Sequence, residues 1–201
     1  NPNKHAGMIY ASNLCHEIAQ NVGFTNLAEE IINEDGTITT KTNTGDMVTC
    51  NLNSISLGRI SDEELEENIA LQIRMLDNVI SINQAPVPES RMTSDKYRAI
   101  GLGTSGYHHY LVNHDIQWES DEHIEVADKL FENIAYYSIK ASMELAKEKG
   151  AYPAFKGSEW ETGEYFTRRG YTSDRWKQLA ADVAKYGIRN GYLMAVRSEE
   201  R

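Results

Sequence analysis

Two cysteines stand among the 201 residues, Cys15 and Cys50. The first sits in the run Asn13-Leu14-Cys15-His16-Glu17. In extended backbone, side chains alternate between faces, so Asn13, Cys15 and Glu17 would point one way and Leu14 and His16 the other. An amide, a thiol and a carboxylate would then project from one edge. The amide can orient a hydroxyl, the sulfur can react and the carboxylate can remove a proton. On the residues alone, two plainer roles stay open. A lone cysteine commonly serves as a small buried apolar residue. Paired with a base it is a hydrolytic nucleophile, but His16 points away from Cys15 in such a strand. The surrounds of papain-like and caspase-like cysteines are also missing.

Other chemistry-bearing residues favour structural roles. The six histidines show no ligand spacing, and His108 and His109, adjacent on a helix, diverge, so no metal site is expected. Tyr136-Tyr137 reads as packing within a helix. Gly101, Gly103 and Gly106 match a dinucleotide pattern, but no strand precedes them, so close helix packing is the expected reason for the glycines. A net charge of −10 argues against a nucleic-acid surface. Apolar content of 40% and charged content of 25% suit a soluble globular chain with one core. No run approaches a membrane span, no basic-then-apolar leader opens the chain, and two cysteines make no disulfide scaffold. The expected setting is cytoplasmic.

Periodicity supplies the elements. Residues 8–20 read as extended and then turning. Residues 33–45 read as a hairpin or exposed loop, and 47–52 as a short strand. Leu65, Ile69, Ile73, Leu76 and Ile80 at helical spacing predict a helix over 62–82, capped by Asp62 and followed by the breakers Pro86 and Pro88. Residues 98–113 carry glycines in an otherwise helical pattern. The longest helix is expected over 121–149. Its inner stripe is Ile124, Ala127, Phe131, Ile134, Ser138, Ala141 and Leu145, and Gly150 ends it. An aromatic loop over 151–170, a helix from Ser173 or Asp174 to Tyr186, and a strand over 192–196 complete the chain.

Four stretches together resemble the large, catalytic subunit of class I ribonucleotide reductases. Ser12-Asn13-Leu14-Cys15-His16-Glu17-Ile18 is similar to the family's active-site signature. Gly45 to Leu57, through Cys50, is similar to its second cysteine strand. Ala85-Pro86-Val87-Pro88 leading to Arg98–Gly103, and Tyr186 to Val196, resemble a connector with its helix and the approach to a late barrel strand. The resemblance covers residues 1–196, leaving 197–201 as a divergent charged tail. It implies an α/β fold, part of a ten-stranded barrel with a central finger loop.

The resemblance also implies roles. Cys15 would be a transient thiyl radical that takes the 3′ hydrogen of a ribonucleotide. Glu17 would accept the 3′-hydroxyl proton and Asn13 would hold the hydroxyls. Asn13, Leu14, Cys15 and Glu17 would meet the substrate. Cys50 would be one of two thiols oxidised to a disulfide. No cofactor is expected on this chain itself: the radical would come from a metal-containing small subunit, and the disulfide would be reduced by a thioredoxin- or glutaredoxin-type donor. The complete large subunit would be an allosteric, ATP-binding homodimer serving DNA replication. Five family features have no counterpart here: the other redox cysteine, the phosphate-binding loop after Val196, the C-terminal tyrosine pair, the swinging cysteine tail and the amino-terminal nucleotide-sensing region. The chain is therefore expected to be an internal segment, cut from a longer chain or one piece of a naturally split enzyme. It would need the remaining large-subunit polypeptide, and would be inactive alone. A non-catalytic assembly module of the same family, and a related radical enzyme with another initiator, are the alternatives.

Overall fold

The computed structural model describes residues 1–12 and 16–196. Helix α1 (Leu65–Ile82) buries Leu65, Ile69, Ile73, Leu76 and Ile80, the stripe its spacing predicts. It packs along α4 (Asp121–Lys149), the longest helix. Ser120 caps α4 by accepting from the His123 amide at 3.1 Å, and Gly150 ends it. The buried side of α4 is carried by Leu130, Ile134, Ser138, Ile139, Ser142, Met143 and Leu145. Ile124 and Phe131, placed on the inner stripe from sequence, are instead exposed. Helix α7 (Asp174–Tyr186) runs from Ser173 to Gly187, as expected, and closes against α4 through Trp176, Leu179 and Val183.

Several boundaries differ from expectation, each for a local reason. Asp62 does not cap α1, because its carboxylate accepts a hydrogen bond from the Tyr110 hydroxyl at 3.1 Å. Glu64 occupies the cap position and its carboxylate takes the Ser61 amide at 3.0 Å. Pro88 does not only break the chain. It opens α2 (Pro88–Tyr97), where a missing amide hydrogen costs nothing. The strand expected over 47–52 begins only at Leu52 (β3, Leu52–Ser56). The loop over 151–170 contains two short helices, α5 (Glu159–Thr162) and α6 (Glu164–Arg168), which bury Trp160, Tyr165 and Phe166.

The largest correction concerns the glycine-rich stretch. Gly101–Ser105 is a strand, β4, paired in parallel with β3 from Leu52↔Gly101 to Ser56↔Ser105. Gly101 serves sheet packing and not helix packing, and Gly106 turns the chain with φ 67° into the helix that follows. A Cβ on Gly101 would lie 2.4 Å from Leu52 Cδ2 and 2.9 Å from Ala195 Cβ. Helix α3 (Tyr107–Asn113) follows. Residues 192–195 run alongside β4 with a parallel bridge at Leu102↔Met194. The Leu102 amide donates to Leu193 O at 2.8 Å, and the Ala195 amide to Leu102 O at 3.2 Å. The chain is thus mixed α/β, with parallel strands on a helical layer. No closed barrel forms among the described residues.

A separate antiparallel hairpin, β1 (Asn26–Ile32) and β2 (Ile38–Asn43), projects with every strand residue exposed. It starts earlier than the hairpin expected over 33–45. The Tyr136-Tyr137 pair is packing, as expected: its rings meet edge to face, and Tyr136 also meets Trp176 edge to face at 5.1 Å.

A buried polar knot ties the end of the chain to the helices. The Asp77 carboxylate, fully buried, accepts from Arg98 Nε at 2.7 Å, Arg189 Nε at 3.2 Å and Asn190 Nδ2 at 3.3 Å, with Lys149 Nζ at 3.4 Å. Burial pushes its pKa up, but the hydrogen bond from Arg98 and the three cations outweigh that and hold it below the usual carboxylate range.

Candidate active site

The loop carrying the first cysteine motif is closed at its stem. The Val22 amide donates to Met8 O at 3.2 Å, and the Ser12 hydroxyl donates to Ile18 O at 2.6 Å. Asn13, Leu14 and Cys15 fall between these positions in sequence and lie outside the described residues. His16 is exposed with φ 60°, and Glu17 is half-buried. That left-handed residue breaks the extended geometry before Glu17, so simple alternation does not run through to the carboxylate.

The stem is seated on the sheet. Ile18 is buried, and its Cδ1 would stand 3.3 Å from a Cβ at Gly101, so its side chain occupies space that glycine leaves open. Asn21, fully buried, donates from Nδ2 to Asn3 O at 2.7 Å. Its amide donates to the Tyr192 hydroxyl at 3.3 Å. Burial pushes the Tyr192 pKa up to about 12, which keeps it a neutral hydroxyl at ordinary pH. The loop is therefore tied to residue 192; the strand expected over 192–196 is reduced to a single bridge at Met194, in a segment that runs beside β4.

Cys50 arrives from the other side. The Met47 amide donates to Thr93 Oγ1 at 2.8 Å, the Thr49 and Ser94 hydroxyls lie 3.0 Å apart, and Asn51 Nδ2 donates to Leu76 O at 2.7 Å. These bonds fix 47–51 on α2 and α1 ahead of β3. Cys50 is exposed on one side. It shares a cavity of about 150 Å³ with Ala11, Ser12, Ile18, Gln20, Val22 and Val48. The structure thus brings the second cysteine against both arms of the loop that carries the first motif. Ser12 and Tyr192 stand inside stretches that carry the family resemblance, but with no role given to them; Gln20 and Asn21 were missed, and the one signal for them was their closeness to Cys15.

A larger cavity, about 820 Å³, lies between the strands and the helices α4 and α7, with Gly103, Thr104, Phe131, Tyr171, Trp176 and Met194 on its wall. Among the described residues its wall carries no cysteine and neither Glu17 nor any stem residue, so the smaller cavity is the candidate site. Among the described residues no group of three or more His, Cys, Asp or Glu side chains is placed to hold a metal ion. No helix there is long and apolar enough to cross a membrane.

Comparison with known proteins identifies the family. The family described as ribonucleotide reductase, barrel domain, matches residues 1–197. The chain belongs to that family. Among its relatives, the ribonucleoside-diphosphate reductase subunit alpha of Treponema pallidum (strain Nichols) is 52% identical over 202 residues, covering 98% of this chain and 24% of that protein. The subunit of the same name from Helicobacter pylori (strain J99) is 36% identical, covering 98% of this chain and 31% of the relative. That of Synechocystis is 34% identical, with 98% and 24% covered. The chain therefore spans about a quarter to a third of the length of these reductase subunits.

Proposed function

We propose that this chain forms part of the catalytic barrel of a ribonucleoside-diphosphate reductase large subunit, an oxidoreductase. The observation that carries the proposal is the shared cavity. Cys50 meets the stem of the Cys15–Glu17 loop across it, as a radical site and its thiol reductant require. The ten-stranded barrel is completed by other segments of the subunit, and the loop 8–22 acts as its central finger.

In this reading Cys15, as a thiyl radical, removes the 3′ hydrogen of the ribonucleotide. Glu17 takes the 3′-hydroxyl proton, which promotes departure of the 2′-hydroxyl as water with a proton given by a thiol. Asn13 and the Leu14–Cys15 backbone hold the hydroxyls in line. Cys50 and a second cysteine, supplied by the rest of the subunit, give two electrons and two protons and become a disulfide. Cys15 returns the 3′ hydrogen and is again a radical. The balance is ribonucleotide plus two thiols to deoxyribonucleotide, disulfide and water. A metal-containing small subunit supplies the oxidising equivalent, and a thioredoxin- or glutaredoxin-type dithiol resets the disulfide. Exclusion of water from the finished barrel protects the radical.

The test is reconstitution with the remaining large-subunit polypeptide, the small subunit, a ribonucleoside diphosphate and a dithiol. Turnover is expected only in the full mixture. Cys15→Ala should abolish it, and Cys50→Ser should allow at most one impaired cycle. Multiple turnover by Cys15→Ala, or turnover by the 201-residue chain alone, would overturn the proposal. Stable assembly with no turnover by the unaltered chain would instead identify a non-catalytic module.

A further inference from the structure

We infer that Asn21 is a positioning residue for Cys15 and Glu17: its buried amide, bridged by Asn3, fixes the loop that carries them against residues 191–192. This rests on the roles proposed for Cys15 and Glu17. The bonds that close the loop, from Ser12 to Ile18 O and from Val22 to Met8 O, join one arm to the other. They set the width of the loop and leave its direction open. Ile18 packs into the space at Gly101, but apolar contact is non-directional. Asn21 supplies direction. Its Nδ2 donates to Asn3 O at 2.7 Å, its Oδ1 accepts from Asn1 Nδ2 at 2.9 Å, and its backbone amide donates to the Tyr192 hydroxyl at 3.3 Å.

Asn3 carries the tie onward. Its Nδ2 donates to Gly191 O at 3.0 Å, and its Oδ1 accepts from the Tyr152 hydroxyl. Gly191 is itself held: its amide donates to Tyr97 O at 2.8 Å, and its carbonyl also accepts from Trp160 Nε1 at 3.2 Å. A Cβ on Gly191 would lie 2.9 Å from Tyr97 O and 3.2 Å from Asn3 Nδ2, so glycine admits the amide there. Asn3 and Asn21 are fully buried, and Tyr152 and Trp160 nearly so. Buried amides are costly to desolvate, and apolar side chains of similar size would fill the same space at less cost. What the amides add is a fixed direction and distance. The bonds run from the returning arm, four residues beyond Glu17, to the segment beside β4. Removal of a 3′ hydrogen by sulfur and of a hydroxyl proton by a carboxylate both need close, aligned approach. A misplacement of about 1 Å costs on the order of 100-fold in rate.

Two measurements on Asn21→Ala test this. In the 201-residue chain, hydrogen–deuterium exchange read by mass spectrometry should rise about tenfold in peptides covering 16–22, as expected for loss of one buried hydrogen bond, and stay at the parent rate in α1 and α4. In the reconstituted enzyme with saturating ribonucleoside diphosphate, turnover should fall about 100-fold. Deuterium on the 3′ carbon should slow the variant by a larger factor than it slows the parent. A merely structural role lowers the active fraction and leaves that isotope ratio unchanged. Tyr192→Phe, which removes the hydroxyl alone, should act in the same direction by a smaller factor, and it decides if Asn21→Ala does not fold. Unchanged exchange in 16–22, exchange raised alike everywhere, or an isotope ratio equal to the parent's overturns the inference. If the unaltered chain gives no turnover, the reductase proposal fails by itself, and the exchange measurement still decides whether Asn21 holds the loop.

Discussion

Two strand pairs of similar size sit in opposite surroundings. β3 and β4 are covered, with Ile55 and Leu102 almost fully buried, and they rest on α1 through shared apolar contacts. β1 and β2 are exposed at every position. A two-stranded hairpin is marginal in water by itself, and here the pairing is helped by a Lys41–Glu29 ion pair at 2.9 Å and by an Asn33–Thr37 turn. The helical layer and the parallel strands form a core that closes on itself. The face carrying the loop stem, Cys50 and the hairpin is held to that core at a few points. Stability should therefore respond to substitutions in the first region and scarcely to those in the second, while activity follows the second.

The strongest way to break this comparison is at Asp77. Asp77→Asn leaves Arg98, Arg189 and Lys149 around a neutral group and should cost about 3–5 kcal/mol in urea unfolding. The Asp77 pKa is depressed on folding, so its contribution is present above the unfolded value, near 4. That contribution is lost as pH falls through the folded value. The parent should thus lose stability on acidification below about pH 4, and Asp77→Asn should show a smaller loss over the same range. Parallel acid curves would remove Asp77 from the stability account.

Next comes Gly101, where the two regions meet. Gly101→Ala places a methyl against Ala195 Cβ and displaces Leu52 and Ile18, with an expected cost of about 1–3 kcal/mol. Because Ile18 belongs to the loop stem, the same change should lower turnover of the reconstituted enzyme by more than global stability explains. A stability change under 0.5 kcal/mol would show that the sheet yields there.

The smallest effect is expected in the hairpin. Ile38→Thr, on a side chain 65% exposed, should alter unfolding free energy by no more than about 0.5 kcal/mol. A larger loss in the isolated chain would mean that the hairpin belongs to the cooperative core.

The helices were legible in the sequence because their apolar spacing matched the turn of the helix, as at Leu65 to Ile80. Their capping residues were less so: Asp62 has a capping residue's chemistry, yet a distant Tyr110 competes for its carboxylate. β4 was hidden because a strand covered on both faces does not alternate, and Gly101-Leu102-Gly103 offered no strand-like side chains. The chemistry proposed for Cys15, Glu17 and Cys50 rests on residue type and resemblance, and Asn13, Leu14 and Cys15 lie outside the described residues. What the sequence could not show was the meeting of Cys50 with Ser12, Ile18 and Gln20. That contact joins positions 30 or more apart, and the fold alone brings them together.

The base of the hairpin is pinched shut. The Asp46 amide donates to Gly23 O at 3.0 Å, the Gly23 amide donates to Asp46 Oδ2 at 3.0 Å, and Lys96 holds the same carboxylate at 3.1 Å. Gly45 passes so close to Gly23 that a Cβ there would collide with its carbonyl. The residues between 23 and 46 thus form a tied-off bight whose contour length adds nothing to the separation of the two cysteine motifs. Extra sequence at its tip, around Asp35-Gly36, would leave Cys50 and the loop stem where they are, since longer surface loops cost little. An epitope or a fluorophore attached there would report on the folded chain while leaving the span between the loop stem and Cys50 unaltered.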